Sequence, residues 1–283
     1  MDESTITIET NDGQELQTYR WSPGSEPTAA VQIQHGLAEH AGRYRRVAEQ
    51  LTAAGFVVYA PDSRGAGRSA VDGYGAWGDD GWDGWVDDVG RLVDRIRDEH
   101  PDLRLGLLGH SMGSFASQQY LLDRSDTVDA VVLSGSTEVG WLVDVLDSDE
   151  PADLSTFNAG FEHRTGFEWL SRDDAEVDAY VADPACGWEA PPIGGIASLA
   201  AAADPERVAS VRADLPILLL SGTDDPLAQG GAAIETLAER YRAAGVTDVE
   251  VRLHDGGRHE MLNETNRDEV TAQIVAFLDR TLT

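Results

Sequence analysis

The sequence predicts an α/β fold: a mostly parallel, eight-stranded sheet with helices on both faces and a mainly helical cap inserted in it. Two observations predict the sheet. From Ala29 onward, short apolar segments alternate with segments of helical periodicity, which is the order of a doubly wound sheet. Most of these apolar segments are continuous, as expected of strands that are covered on both faces. One long interruption of the alternation predicts the cap.

Eight strands are predicted from apolar or alternating segments that end in turn residues. They are residues 5–9, 16–21, 29–34, 56–60, 103–108, 128–133, 217–220 and 248–253. The first two alternate and are joined by Asn11-Asp12-Gly13, a turn sequence that indicates a pair of neighbouring strands. The third strand ends at His35-Gly36, where a loop begins.

Five helices are predicted between these strands from apolar residues at helical spacing. They are residues 43–54, 84–99, 114–122, 231–244 and 266–281. Gly55 directly follows the first helix and Pro101 follows the end of the second, and both are residue types that end helices. The order of elements therefore agrees with a parallel sheet joined by helical crossovers.

Residues 136–212 break this order, because they contain few strand signals and several short helical ones. The segment is rich in aromatic residues, among them Trp141, Trp169, Tyr180 and Trp188. We expect residues 1–135 and 213–283 to form the sheet domain. Residues 136–212 are expected to form a cap over the carboxyl ends of the strands, where such sheets bind ligands.

The composition excludes several classes of function. The chain has 51 acidic and 21 basic residues, a net charge of −30 and no lysine. A field of this sign repels nucleic acids and anionic membranes. No apolar stretch reaches the ~18 residues of a transmembrane helix, and the acidic N-terminus is unlike a signal peptide, so we expect a cytoplasmic protein. The single Cys186 excludes an internal disulfide and a cysteine-based metal cluster.

The segment Gly109-His110-Ser111-Met112-Gly113 carries the clearest sign of chemistry. It joins a predicted strand to a predicted helix, and G-x-S-x-G in that context predicts a nucleophile elbow. The turn is too sharp for bulky side chains on either side of the serine, and Gly109 and Gly113 supply that freedom. The alternative is an ordinary strand–helix turn in which Ser111 is the N-cap.

A serine nucleophile needs a base, usually a histidine that a carboxylate orients. Loops after two later strands supply candidates at the same edge of the sheet as Ser111. Asp225 is favoured over Asp224 because a proline follows it and fixes the backbone. His259 is favoured over His254 because it follows a flexible pair of glycines.

An acyl-transfer site also needs hydrogen-bond donors for the oxyanion. The backbone N–H of Met112, directly after the serine, is the expected first donor. The loop after the third strand is expected to provide the second donor from Leu37, with Gly36 permitting a close approach. The alternative for His35-Gly36 is a plain tight turn.

Residues 62–69 follow a strand and contain Gly65-Ala66-Gly67, which suggests nucleotide binding. The segment lacks the third glycine of that motif, and the chain has no lysine for a Walker motif. A structural loop beside the elbow, tied by Asp62 and Arg64, is therefore favoured.

Together these motifs resemble the monoacylglycerol lipase and bacterial lysophospholipase branch of the α/β-hydrolases. The matching segments are HGLAEHAGRY at 35–44, DSRGAGRS at 62–69, GHSMG at 109–113, WLSRD at 169–173 and VDAYVADP at 177–184. The resemblance implies an α/β-hydrolase fold and hydrolysis of single-chain esters of glycerol or glycerophosphate under an apolar cap. It also implies Ser111, Asp225 and His259 as the catalytic triad, with Leu37 and Met112 as oxyanion donors.

The resulting hypothesis is a serine carboxylic-ester hydrolase that acts on monoacylglycerol-type single-chain esters through an acyl-enzyme and needs no metal or cofactor. Lysophospholipase and short-chain carboxylesterase remain alternatives, and a proline-type serine peptidase or a non-catalytic binding protein are weaker ones. The candidate pocket residues are His35, Gly36, His110, Trp82 and Trp141.

The first half of the cap departs from the family pattern, because residues 138–153 are dense in acids. Within it Trp141, Leu142, Val145 and Leu146 form an apolar stripe that either packs on the sheet domain or touches lipid surfaces. The acids around the stripe disfavour docking on an anionic membrane. We therefore expect at most transient contact with a lipid surface, and no nucleic-acid partner.

Overall fold

The core of the molecule is one sheet of eight strands. The computed structural model describes residues 1–283, and the strands lie in the order β1-β2-β4-β3-β5-β6-β7-β8. They are β1 (Asp2–Glu9), β2 (Glu15–Ser22), β3 (Ala29–Gln34), β4 (Phe56–Pro61), β5 (Leu105–His110), β6 (Ala130–Ser134), β7 (Ile217–Gly222) and β8 (Val249–His254). β2 pairs antiparallel with β1 and β4, and every other pair is parallel. The predicted sheet is therefore confirmed.

Helices cover both faces of the sheet. They are α1 (Arg45–Ala53), α2 (Gly81–Glu99), α3 (Met112–Arg124), α4 (Val143–Leu146), α5 (Asp174–Ala182), α6 (Pro205–Val208), α7 (Ala232–Ala243) and α8 (Arg267–Leu282). α1 and α8 share one apolar core with Val31 and Ile33 of β3, whereas α2, α3 and α7 share another with Ala30 of the same strand. Successive strand residues face opposite sides of a sheet. Because helices cover both sides, β3 to β7 are buried along their whole length.

Two predicted boundaries differ at the elbow. β5 continues to His110, two residues beyond the predicted end at Leu108. α3 begins at Met112, two residues before the predicted start at Ser114. His110 still pairs with Ser134 of β6, so Ser111 is the only residue between the strand and the helix.

The segment between β6 and β7, residues 135–216, adds no strand to the sheet; we call it the insertion. It contains α4, α5, α6, several 3₁₀ turns and one isolated bridge between Ala152 and Ala190. Leu142 and Leu199 of the insertion belong to the same apolar core as α2 and α3, so burial of apolar surface holds it on the sheet. No helix of the protein has the length and apolar composition that crossing a bilayer requires.

The loop at residues 62–69 is held by buried charges. The Asp62 carboxylate accepts hydrogen bonds from the backbone and side chain of Arg68. The buried Arg64 guanidinium pairs with Asp12 at 3.1 Å and with Asp88 at 2.9 Å. These contacts hold the charged side chains of the loop within the protein and support the structural interpretation over nucleotide binding.

Candidate active site

Ser111 has a strained backbone conformation that presents its side chain at the end of β5. Its φ of 50° and ψ of −124° are unusual for a residue other than glycine. A Cβ added to Gly109 would lie 2.7 Å from the Ser114 Cα, and one added to Gly113 would collide with the backbone carbonyl of Gln34. The elbow therefore needs glycine on both sides of Ser111, as the sequence predicts.

Asp225 and His259 form a buried pair on the loops after β7 and β8. The Asp225 Oδ2 lies 3.0 Å from the His259 Nδ1, and Oδ1 accepts the Leu227 N–H at 2.9 Å. Burial disfavours the charged imidazole, but the Asp225 carboxylate outweighs burial and raises the pKa of His259. Asp224 is exposed instead, and His254 contacts Asn266, so neither competing residue joins the pair.

The His259 ring is fixed between two other rings. Its centroid is 4.9 Å from that of His110 and 4.7 Å from that of Trp169. The backbone N–H of His259 also donates a hydrogen bond to the backbone carbonyl of Trp169 at 3.2 Å. Ser111 and His259 line the same cavity, and no hydrogen bond joins the serine hydroxyl to the imidazole in this structure. The arrangement places a base beside a potential nucleophile within a water-restricted site.

The predicted oxyanion donors lie on either side of the elbow. The Leu37 N–H has no acceptor within the protein, and the Met112 N–H is in the first turn of α3, where amides have no intrahelical acceptor. A Cβ on Gly36 would lie only 3.0 Å from the Ser111 Cβ, so glycine brings the two loops together. Both amides are thus available near the serine, which is what oxyanion binding requires.

The cavity at Ser111 is small, with a volume of about 40 Å³. Part of its wall, which we call the apolar side, consists of Leu142, Leu146, Leu154 and Phe157 of the insertion. A second cavity of about 200 Å³ adjoins this side and shares Leu146, Leu154 and Phe157 with it. The second cavity is also lined by the exposed Glu150 and Asp153. The apolar side therefore leads from Ser111 toward solvent.

The polar side of the same cavity consists of Glu39, His110 and Glu260, none of which lines the second cavity. The Arg43 guanidinium lies behind it and contacts Glu39 at 2.7 Å and Glu260 at 2.5 and 2.6 Å. The Gly36 N–H and the Tyr44 hydroxyl both donate to Glu39 Oε1. Burial opposes ionisation of Glu39, but the Arg43 charge lowers its pKa to about 2.

His110 is a neutral member of the polar side. Burial, followed by the nearby His259, lowers the pKa of His110 to about 4. Its Nδ1 is buried without a hydrogen-bond partner. The predicted pocket residues Gly36 and His110 thus both line the cavity.

Three other candidate pocket residues, His35, Trp82 and Trp141, do not line the cavity. The His35 ring is buried between its own loop and the Ser63 N–H, which donates to Nε2 at 2.9 Å. Trp82 packs against Trp85 in the core beneath α2, and its Nε1 donates to Gln119. Trp141 is half-buried and donates to Thr137. In each case the polar atoms of the ring are bonded away from Ser111.

One cluster has the composition of a metal site. The ligand atoms of His40, Asp183 and Cys186 all lie within 4.8 Å of one another. However, the Gly42 N–H donates to His40 Nδ1, so the proton of the neutral ring is on Nε2, which faces Asp183 at 3.0 Å. A ring nitrogen that carries a proton does not bind a metal, and the geometry is that of a hydrogen bond. His40 is half-buried and paired with Asp183.

Comparisons with known proteins identify the family of the chain. Residues 25–266 match the family described as "Serine aminopeptidase, S33". The chain is 32% identical to a monoacylglycerol lipase of Mycolicibacterium smegmatis over 91% of its length and 92% of the relative's. It is 31% identical to the mouse monoglyceride lipase, covering 93% and 85%. Among solved structures, a thermostable carboxyl esterase from Bacillus coagulans has a TM-score of 0.88 at 25% identity, with complete coverage of both chains.

Proposed function

The chain belongs to the serine aminopeptidase S33 family of α/β-hydrolases, in its monoacylglycerol lipase-like branch, and we propose that it hydrolyses monoacylglycerols and similar single-chain esters. That it is a serine ester hydrolase follows from this membership and from the similarity to monoacylglycerol lipases over most of the chain. The ester that it prefers and the roles of individual residues are the subject of the proposal.

In the proposed reaction, Ser111 Oγ attacks the ester carbonyl carbon while His259 Nε2 takes the hydroxyl proton. The Leu37 and Met112 amides bind the negative oxygen of the tetrahedral intermediate. The bond to the alcohol then breaks, and His259 returns the proton to the leaving oxygen. His259 then takes a proton from a water molecule, which attacks the acyl carbonyl carbon of the acyl-enzyme. As the bond to Ser111 Oγ breaks and the fatty acid leaves, His259 gives that proton to Oγ. Asp225 keeps the proton of the neutral imidazole on Nδ1 throughout.

The observation that carries the substrate assignment is the division of the cavity into two unlike sides. An acyl chain fits the apolar side, because the second cavity extends that side with further apolar surface. A glycerol leaving group fits the polar side, where Glu39, His110 and Glu260 supply acceptors for its hydroxyls. We propose that residues 136–212 act as the cap that encloses the chain.

A lysophospholipid fits this cavity less well than a monoacylglycerol. Its phosphate would occupy the polar side next to Glu39 and Glu260, and like charges in a buried site repel strongly. Arg43 does not relieve this, because its guanidinium already binds both carboxylates. The uncharged glycerol ester is therefore the favoured substrate.

The test is a turnover panel with a nucleophile variant. Monoacylglycerols of increasing chain length, a lysophosphatidylcholine and p-nitrophenyl butyrate are compared for kcat/KM. We expect monoacylglycerols to be preferred, and Ser111→Ala to lower kcat by about 10³-fold or more with its melting temperature retained. Near-normal turnover by Ser111→Ala would refute the mechanism, whereas a preference for the lysophospholipid would refute only the substrate.

A further inference from the structure

The loop that carries the Leu37 amide contains a second strained residue. Ala38 has a φ of 53°, in the left-handed region that residues other than glycine rarely adopt. It lies between Leu37 and Glu39, so its conformation sets the direction in which the neighbouring peptides point. A strained residue persists only where surrounding contacts hold it. The contacts that hold Ala38 therefore decide the shape of the proposed oxyanion site.

Those contacts come from the insertion. The Ala38 carbonyl accepts a hydrogen bond from the Tyr180 hydroxyl at 2.8 Å and another from the Gly187 N–H at 2.9 Å. On the other side of Leu37, the Gly36 N–H donates to Glu39 at 2.6 Å. The Leu37 N–H lies between these two fixed points and is itself without an acceptor.

Tyr180 is itself fixed in place. Its ring packs against Phe167, with centroids 5.2 Å apart, and the Arg43 guanidinium lies 4.9 Å above it. The helix that carries it, α5, is tied to the other side of the loop by the pair of His40 and Asp183 at 3.0 Å. Tyr180 also lines the cavity, but the residue is buried and the one hydrogen bond of its hydroxyl goes to the loop.

We propose that Tyr180 is a positioning residue for the oxyanion site: its hydroxyl holds Ala38 in the left-handed conformation and thereby aims the Leu37 amide at Ser111. The inference rests on the proposed acyl-transfer function of Ser111. In this proposal the geometry of the oxyanion site depends on both the loop after β3 and the insertion. Displacement of α5 from the loop would release Ala38 and turn the Leu37 amide away.

The test removes only the hydroxyl. In Tyr180→Phe the ring stays, and the Ala38 carbonyl keeps the Gly187 donor, so the fold is expected to persist. We expect kcat to fall about 10-fold, less than the 10²–10³ measured when an oxyanion donor is deleted outright, with KM for a monoacylglycerol unchanged. Inhibition by an alkyl boronic acid, which forms a tetrahedral adduct on Ser111, should weaken by the same factor.

Tyr120→Phe is the matched control, because Tyr120 is also buried and donates or accepts one hydrogen bond, with Thr127, away from the cavity. It should change neither kcat nor boronic acid inhibition. A rise in KM with unchanged kcat for Tyr180→Phe would mean that Tyr180 binds substrate directly, and would overturn the proposal. Unchanged kcat and inhibition would overturn it too.

A second variant tests the same link through the backbone of Ala38. Glycine adopts positive φ without strain, so Ala38→Gly should depend less on the Tyr180 hydroxyl. The loss of kcat on adding Tyr180→Phe should shrink to below about 3-fold in the Ala38→Gly background. Equal losses in both backgrounds would contradict the proposal. Failure of the underlying function is distinguished by Ser111→Ala, which would then remain active.

Discussion

The two sides of the active-site cavity are built in opposite ways. The polar side consists of buried groups whose positions are fixed by paired charges, Glu39 and Glu260 around Arg43. The apolar side consists of side chains of the insertion that are held by packing alone, and three of the four, Leu146, Leu154 and Phe157, are only half-buried. Directional bonds define a position closely, whereas apolar contacts allow repacking at a smaller energetic cost. We therefore expect strict selection of the alcohol and tolerant selection of the acyl chain.

The largest effect is expected when the positive charge of Arg43, at the centre of the polar side, is removed. Arg43→Met leaves Glu39 and Glu260 buried without their partner, and breaking a buried ion network costs about 3–5 kcal/mol. We expect the free energy of unfolding in urea to fall by that amount, with loss of turnover. The control is Arg45→Met, since the Arg45 side chain is 55% exposed and that of Arg43 only 12%. Equal, small effects of the two variants would show that the polar side is not held by charge.

The next effect is a loss of stability at low pH, which we expect from the buried groups of the polar side. The pKa of His110 is about 4 in the folded protein, against the usual 6.5. Between these values the unfolded chain binds a proton that the folded protein does not, so stability is full above pH 6.5 and decreases as the pH falls to 4. The loss is on the order of 3 kcal/mol. Glu39, with a pKa of about 2, adds a loss of the same sign only below pH 4.5.

Unfolding experiments at pH 7 and pH 4.5 measure this effect. His110→Leu should reduce the difference between the two conditions, because the apolar side chain has no proton to bind. The buried His35, whose pKa is also lowered by burial, should keep part of the difference. The exposed His163 provides the control, and His163→Leu should keep the full difference. If His110→Leu were as acid-sensitive as the natural chain, the buried imidazole would not be the cause.

The smallest expected effect concerns the apolar side. Leu146 lines both cavities, so Leu146→Phe narrows the path between them. We expect kcat/KM for a long-chain monoacylglycerol to fall about 10-fold relative to a short-chain one, with stability nearly unchanged because Leu146 is only half-buried. Val181→Phe, on an exposed position of α5, should not alter this ratio. A uniform loss for all chain lengths would show that the chain takes another path.

Much of the fold and the central part of the site follow from local sequence. The strand β3 has the predicted bounds, and Ser111, Asp225 and His259 lie where chain order and flanking glycines place them. These features depend on short segments whose geometry is set by their own residues, such as Gly109 and Gly113 around the serine. The catalytic roles themselves stay predictions until the variants are measured.

What could not be predicted depends on contacts between distant segments. Glu39 and Arg43 are within a recognised motif, yet their burial is decided by Glu260, which lies 217 residues after Arg43 in the chain. Trp82 and Trp141 lie near the ends of strands or in the cap, but their ring nitrogens bind partners that sequence patterns do not specify. Residue type alone does not distinguish an aromatic side chain that lines the cavity from one that packs in the core.

The contact between the elbow and β3 has a consequence for how the enzyme is lost on heating. Gly113 packs directly against the backbone carbonyls of Gln34 and His35, with no side chain between them to rearrange. Local loosening of the turn at Ser111 without separation of β3 and β5 is therefore sterically disfavoured. Thermal inactivation should accordingly coincide with melting of the central strands. The activity that remains in a heated sample should therefore equal the fraction of molecules whose sheet is still folded.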